Sequence, residues 1–160
     1  MTQIMQYSSP LGGITLACEE DALTGLWFDG QKHFGSTLPR DAAEGSSQLL
    51  DAAAQWLDRY FAGTEPGPTP PLRLKGSEFQ LRVWAALQAI PWGTLRSYGE
   101  LAAALGSSAR AVGGAVARNP ISLMVPCHRV VGRSGLTGYA GGLDRKAALL
   151  ALEASQSFQA

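Results

Sequence analysis

The segment Gly63-Thr64-Glu65-Pro66-Gly67-Pro68-Thr69-Pro70-Pro71 constrains this chain more than any other. Its prolines remove backbone donors and fix φ, so neither a helix nor a central strand can run through it. The chain reads as two lobes, 1–71 and 72–160, joined by this link. The sign of the charge changes across it. Residues 1–71 carry three basic groups (Lys32, Arg40, Arg59) against nine acidic ones, and residues 72–160 carry ten basic against four acidic. A formal net charge of zero thus covers one lobe at −6 and one at +6. Either the lobes pair with each other, or the basic one meets a polyanion.

Hydrophobic residues make up 46% and charged ones 16% of the chain, enough apolar material for a core and too little charge for disorder. No apolar run approaches the roughly 18 residues of a membrane span, and the first residues lack a signal pattern. The expectation is a soluble, cytoplasmic protein with no membrane partner. The two cysteines, Cys18 and Cys127, do not make a disulfide framework. No C-x-x-C or His-rich spacing supports a metal site.

Local patterns fill in the lobes. Ser9 to Gly13 reads as a turn. Ile14, Leu16 and Cys18 alternate with Thr15 and Ala17 as a half-buried strand, and Leu23 to Phe28 makes a second strand in a hairpin with it. Cys18 then belongs to the core, and His33 to solvent. Leu49, Leu50, Ala53, Trp56, Leu57, Tyr60 and Phe61 share one face of a helix capped by Ser46 or Ser47.

Beyond the link, Ser77-Glu78 opens a helix that Pro91 stops, with Trp84 as packing. Ser97-Tyr98-Gly99-Glu100 has the form of a capping box, so a short helix runs from Tyr98 to about Leu105. A turn at Gly106-Ser107-Ser108 leads into a second, Ala109 to Arg118. The pair forms a helix-turn-helix pattern, with Arg110 near the start and Arg118 at the end of its second helix. Ile121 to Val125 reads as a buried extended segment leading to Cys127. Gly132 to Gly142 is a glycine-rich loop containing Tyr139, and Asp144 to about Ser155 is the last helix. The fold class is α/β (α+β): a small N-terminal lobe of antiparallel strands and a helix, and a mainly helical C-terminal lobe.

One of only two cysteines stands beside one of only two histidines in Pro126-Cys127-His128-Arg129. Cysteine attacks as a thiolate, and a nearby imidazole is a usual means of making one. The alternative is a buried structural Cys beside a capping His. Chemistry on a DNA base would require the base to leave the stack and enter a pocket. A histidine used as a base needs a third group to orient it, and Glu153 is the one carboxylate of the last helix beyond its first residue; spacing alone favours a solvated Glu153.

Pro126-Cys127-His128-Arg129-Val130-Val131 resembles the active-site signature of the O6-alkylguanine-DNA alkyltransferases, also called methylated-DNA–protein-cysteine methyltransferases. The resemblance runs from about Phe79 to Glu153 and takes in Arg110-Ala111-Val112-Gly113-Gly114-Ala115, Asn119-Pro120 and Gly138-Tyr139-Ala140-Gly141-Gly142. The Ser9-Pro10-Leu11-Gly12 turn and the helix through Trp56 and Phe61 resemble the family's N-terminal lobe.

This resemblance implies suicide transfer of an alkyl group from O6 of guanine in double-stranded DNA to Cys127, once, without a cofactor. Whether O4-alkylthymine is also a substrate is left open by the resemblance. It implies that His128 activates Cys127 through a water, that Glu153 orients His128 and that Asn119 braces the active-site segment. Arg110 would replace the flipped nucleotide, and Tyr98 would help rotate it. Small residues including Gly113 would fit the helix to the minor groove. Tyr139 would line the pocket, with the backbone around Val130 and Ala140 reading the guanine. The intervals from Tyr98 to Arg110 and from Cys127 to Tyr139 are shorter than the family's by about two and about one positions, in loops that tolerate deletion. Some relatives bind zinc in the N-terminal lobe; this chain lacks those ligands. The implied protein is a monomer in solution, with cooperative assembly on DNA left open. A damage-binding protein without transfer, a cysteine hydrolase and a DNA-binding regulator are the competing readings; adjacent residues on an extended segment point to opposite sides, which makes the direct Cys127–His128 pairing of a hydrolase awkward.

Overall fold

The computed structural model describes residues 1–132 and 138–157, with side chains through 154. The loop expected at 132–142 therefore lies partly outside the described residues. Strands β1 (Gln3–Ser9), β2 (Gly12–Cys18) and β3 (Leu23–Phe28) form an antiparallel meander. A two-residue strand β4 (Ala43–Glu44) joins the outer side of β1 in parallel, giving the order β3-β2-β1-β4. The hairpin expected from residues 14–28 is present. Strand β1 has no counterpart in the sequence reading, because Met1 to Tyr7 shows no clean alternation.

Helix α1 (Gln48–Phe61) is capped by Ser47, whose hydroxyl accepts from Leu50 N–H. Its buried residues Leu50, Ala53, Trp56, Leu57 and Tyr60 are those of the expected apolar face. After it the proline link is pinned: Trp56 Nε1 donates to Gly67 O and Arg59 Nε to Pro66 O.

The C-terminal lobe begins with α2 (Glu78–Gln88), which opens on a complete capping box from Ser77 and Gln80. Trp84 is buried and donates to Ala115 O at 2.9 Å, a packing role. Strand β5 (Arg96–Ser97) leads directly into α3 (Tyr98–Leu105), where Ser97 and Glu100 form the expected capping box. Gly106 closes α3 at φ 64°, a left-handed cap that suits glycine. Ser108 then caps α4 (Ala109–Ala117). Strand β6 (Val130–Val131) pairs in parallel with β5, and α5 (Leu143–Ser157) ends the described chain.

Two expectations for the approach to Cys127 need correction. Ile121 to Val125 is buried but not extended throughout. Leu123 takes φ 71°, and Val125 N–H returns to Ile121 O, so the segment folds into a tight turn. Cys127 to Arg129 forms a single 3-10 turn, so Cys127 and His128 do not alternate across an extended strand. Asn119 is the physical reason for the first difference. Its carboxamide oxygen accepts from Ile121 N–H at 3.0 Å and its amide donates to Val125 O at 2.7 Å, clamping both ends of the turn.

The lobes meet along β3. Leu23 N–H donates to Pro71 O, and Arg73 N–H donates to Leu23 O. Further along, Leu26 N–H donates to Pro120 O, and Ser122 N–H donates to Leu26 O. The free edge of the sheet is thus covered by the end of the link and by the segment approaching Cys127. Charge also pairs here, in part: Arg73 binds Glu19 and Asp21, and Lys75 binds Glu19.

Gly25 in β3 is required by packing. A Cβ there would come within 2.1 Å of the ring of Trp27, which is itself buried. Gly25→Ala is expected to cost about 2 kcal/mol, as overpacking of a filled core does. Urea unfolding measures it, and a loss below about 0.5 kcal/mol, the scale of an ordinary surface change, would show that the indole moves freely.

Candidate active site

The site is assembled from the chain following the Asn119 clamp. The 3-10 turn buries Cys127 at 3% exposure and His128 at 0%. Behind them α5 presents Glu153, 1% exposed despite its charge. Glu153 is not the solvated helix residue that spacing alone favours. Its Oε2 accepts from His128 Nε2 at 2.5 Å and from the Tyr60 hydroxyl at 2.6 Å. Its Oε1 accepts from Arg129 Nε at 2.8 Å and from Gly93 N–H at 3.3 Å. Arg129 also donates to Ile90 O. The buried carboxylate is surrounded by donors, as a buried charge must be.

This arrangement sets the histidine tautomer. Burial pushes the Glu153 pKa up, but the hydrogen bonds and charges of His128 and Arg129 outweigh it and bring it to about 2. An ionised carboxylate only accepts, so Nε2 carries the proton and donates it to Glu153. Nδ1 is then a lone-pair nitrogen, and it is buried without a hydrogen-bond partner among the described residues. Burial lowers the His128 pKa, with Glu153 opposing. The imidazole stays neutral and basic at Nδ1.

Burial raises the Cys127 thiol pKa, while the Asn119 amide and the Lys146 ammonium oppose that rise. Lys146 stands at 0% exposure on α5. Its Nζ donates to Val130 O at 2.5 Å and to Gly138 O at 3.0 Å, tying β6 to the loop that carries Tyr139.

A pocket of about 500 Å³ opens onto Cys127. Its lining includes Val116 and Ala117 from the end of α4, Gly138 to Leu143, and Gly30 to Lys32 from the N-terminal lobe. The size suits a small-molecule or single-base site. Tyr139 and Ala140 lie in this wall, and the Tyr139 hydroxyl is enclosed without a partner among the described residues. Val130 lies behind it, with its N–H bound to Cys127 O and its carbonyl to Lys146. A second depression, about 750 Å³, is lined by Tyr98, Arg110, Gly113 and Gly132 on the outer face of the α3–α4 pair. Arg110 is exposed there and is not among the residues lining the pocket over Cys127. Gly113 lies against the Tyr98 ring, where a Cβ would be 3.9 Å away. The structure therefore gathers Cys127, His128, Glu153 and Asn119 into one cluster, with Tyr139 and Ala140 at its mouth, and sets Tyr98, Arg110 and Gly113 on the adjoining surface.

Tyr60, Arg129 and Lys146 were not foreseen in the site. Tyr60 had a signal: a tyrosine on an otherwise apolar helix face must find a partner for its hydroxyl. Among the described residues no group of three or more His, Cys, Asp or Glu side chains is placed to hold a metal ion. No helix among them is long and apolar enough to cross a membrane.

The Glu153–His128 pair makes stability depend on pH. Both groups have folded pKa values below their ordinary ones, so the unfolded chain takes up protons first as pH falls. Stability is expected to be level above about pH 7 and to decline below about 6.5 as unfolded histidine protonates. It should steepen from about pH 4.5 toward 2, where the carboxylate contributes up to ~3 kcal/mol. Denaturant unfolding across this range checks it. A curve unchanged in shape by Glu153→Gln below pH 4.5 would assign the acid loss to other groups.

A buried thiol adjacent in sequence to an imidazole that a buried carboxylate holds is a combination used by proteins that act through a cysteine nucleophile. The family profile described as "6-O-methylguanine DNA methyltransferase, ribonuclease-like domain" matches residues 5–73, and "6-O-methylguanine DNA methyltransferase, DNA binding domain" matches 78–155. A methylated-DNA–protein-cysteine methyltransferase of Mycolicibacterium paratuberculosis is 48% identical over 160 residues, covering 98% of this chain and 95% of its own. The constitutive enzyme of that name from Bacillus subtilis is 43% identical, covering 91% of each chain. The structure of Mycobacterium tuberculosis O6-methylguanine methyltransferase superposes with a TM-score of 0.84 at 45% identity, covering 98% of this chain and 94% of that one. The structure of Mycobacterium tuberculosis OGT in complex with DNA gives 0.85 at 44% identity, covering 97% and 93%. The chain belongs to the 6-O-methylguanine DNA methyltransferase family.

Proposed function

We propose that this protein repairs DNA by moving the alkyl group of O6-alkylguanine onto Cys127, in a single irreversible turnover. The observation that carries the reading is the buried hydrogen bond between His128 Nε2 and Glu153 Oε2, which leaves Nδ1 as the lone-pair nitrogen. With Nε2 committed to Glu153, Nδ1 is left to draw the proton from the Cys127 thiol, through one water. The thiolate attacks the alkyl carbon in line, the S–C bond forms, and the C–O6 bond breaks with its electron pair left on the guanine. The guanine regains the proton that the thiol lost. No cofactor enters that balance.

The rest of the geometry supports the same reading. Double-stranded DNA lies against the α3–α4 pair, whose outer face combines Arg110 with the small residues Gly113 and Gly114 and so suits a narrow groove. The damaged nucleotide leaves the stack and enters the pocket. Tyr98 assists its rotation, and Arg110 fills its place. Tyr139 and the backbone at Val130 and Ala140 hold the base, with Asn119 keeping the nucleophile's segment in register. In this division of labour residues 72–160 carry DNA binding and chemistry, and residues 1–71 support them. The protein acts as a monomer, its acidic lobe kept off the DNA and available to a neighbouring copy. Binding stoichiometry on duplexes of increasing length tests that last point, and strict non-cooperative binding at every length would remove it.

Intact-mass analysis after mixing with a duplex carrying one O6-methylguanine tests the central claim. The protein should gain about 14 Da, one CH₂ on the thiolate nucleophile, stop at one equivalent, and gain nothing as Cys127→Ser. Tight binding without a mass change would convert the reading to damage recognition alone.

A further inference from the structure

The Glu153 carboxylate is held from both lobes. Tyr60 belongs to α1 of the N-terminal lobe and is 0% exposed. Trp56 stacks on its ring with centroids 5.5 Å apart, and Phe61 and Trp92 meet it edge-on at 5.3 and 5.4 Å. This aromatic packing fixes where the hydroxyl points. It points at Glu153 Oε2, 2.6 Å away, the same oxygen that accepts from His128 Nε2. The hydroxyl oxygen also lies 3.3 Å from Nε2 itself. Burial and the neighbouring Glu153 charge raise the Tyr60 pKa, so the hydroxyl keeps its proton and donates it to the carboxylate. The other ionisable groups around the His128 ring belong to the C-terminal lobe: Glu153 and Lys146 on α5, with Arg129 and Cys127 on either side of it in its own turn.

We propose that Tyr60 is a positioning residue for alkyl transfer: its hydroxyl shares Glu153 Oε2 with His128 and so keeps the imidazole neutral, with its proton on Nε2, until Nδ1 takes the thiol proton. The inference rests on the alkyl-transfer reading, and it gives the N-terminal lobe a part in the chemistry. A carboxylate whose Oε2 served His128 alone would favour the imidazolium, which has no lone pair at Nδ1 to receive a proton. A carboxylate with fewer donors would also be more basic. It would take the Nε2 proton from the doubly protonated ring and leave the wrong tautomer behind. The Tyr60 hydroxyl opposes both. The thiol proton still passes through water to Nδ1, S–C forms, C–O6 breaks with its pair on the guanine, and the imidazolium returns a proton to the guanine. Tyr60 gives up no proton at any step.

The test is the pH profile of single-turnover transfer from a duplex carrying one O6-methylguanine, measured from about pH 5 to 9 so as to bracket histidine. Tyr60→Phe keeps the ring and removes the hydroxyl. Its acid limb, where His128 gains a proton and ceases to be a base, should move up by about one pH unit, as loss of a hydrogen bond to the coupled carboxylate implies. Near neutral pH the rate should fall about tenfold, and above about pH 8 part of that loss should return as the imidazole becomes neutral again. The nitrogen shifts of His128 in the DNA-free protein should titrate upward by the same interval. Leu57→Val, a buried change on the same helix, controls for loosened packing of α1 and should leave the limb where it is. A Tyr60→Phe rate that falls equally at every pH would make the residue structural and overturn the proposal. So would an unmoved limb at full rate, or a limb that Leu57→Val moves as far. An unaltered protein that transfers no methyl removes the alkyl-transfer reading itself, and the proposal falls with it.

Discussion

Glu153→Gln is expected to slow alkyl transfer by about a thousandfold. The amide keeps the shape of the carboxylate but has one donor side. Placed against His128 Nε2, an NH₂ group donates where the carboxylate accepted, and the ring proton moves to Nδ1. The lone pair that should draw the thiol proton is then lost. In the serine-protease triad a carboxylate-to-amide change that enforces the wrong tautomer costs about 10⁴ in rate. A thiol is more acidic than a hydroxyl, so the smaller figure of about 10³ is expected here. Arg129 and Tyr60 lose their anionic partner in the same change. Breaking a buried pair of this kind adds a stability loss of about 3 kcal/mol. Rapid-quench transfer rates and the nitrogen chemical shifts of His128 measure the two parts separately. A rate within threefold of the unaltered protein would show that the tautomer does not matter.

Lys146→Met is the second large effect. Methionine matches the length and apolar stem of lysine but cannot donate, so the carbonyls of Val130 and Gly138 lose the donor they share. Val130 O is buried, and a buried acceptor left without its partner costs about 1–3 kcal/mol, while the exposed Gly138 carbonyl can turn to water, so a loss of about 2 kcal/mol is expected. A chemical consequence accompanies it. The Lys146 charge helps hold down the Cys127 thiol pKa against burial. Without it the thiol pKa rises, and the pH dependence of Cys127 alkylation by iodoacetamide moves to higher pH. An unchanged alkylation profile would confine Lys146 to tying the loop.

Elements with local signals were legible in the sequence. The capping box at Ser97 and Glu100, the apolar face of α1 and the left-handed stop at Gly106 each depend on a few neighbouring residues. What was not legible depended on partners far along the chain. The turn at Leu123 exists because Asn119 clamps it, which an apolar run does not reveal. Glu153 looked solvated because its donors come from α1, from the turn after α2 and from the Cys127 segment. Cys127 and His128 were found by their rarity and order, but adjacency alone suggested an extended pair pointing to opposite sides. The 3-10 turn resolves that geometry. The wall at Gly30 to Lys32 had no sequence signal, since a hydrogen bond from Lys32 to Ala140 joins the two lobes across the whole chain.

The cover over the β3 edge has a consequence for biosynthesis. Leu26 pairs with Ile121, 95 positions later, and Leu23 with Leu72. At elongation rates of about 5–20 residues per second, β3 leaves the ribosome roughly 5–20 s before the segment that finally closes it. For that interval the nascent chain carries an apolar strand with unpaired backbone groups, open to pairing with another chain. The segment approaching Cys127 therefore acts as the last stitch of the N-terminal sheet, and a translational stall before Ile121 would release a chain that lacks Cys127 and is prone to aggregate.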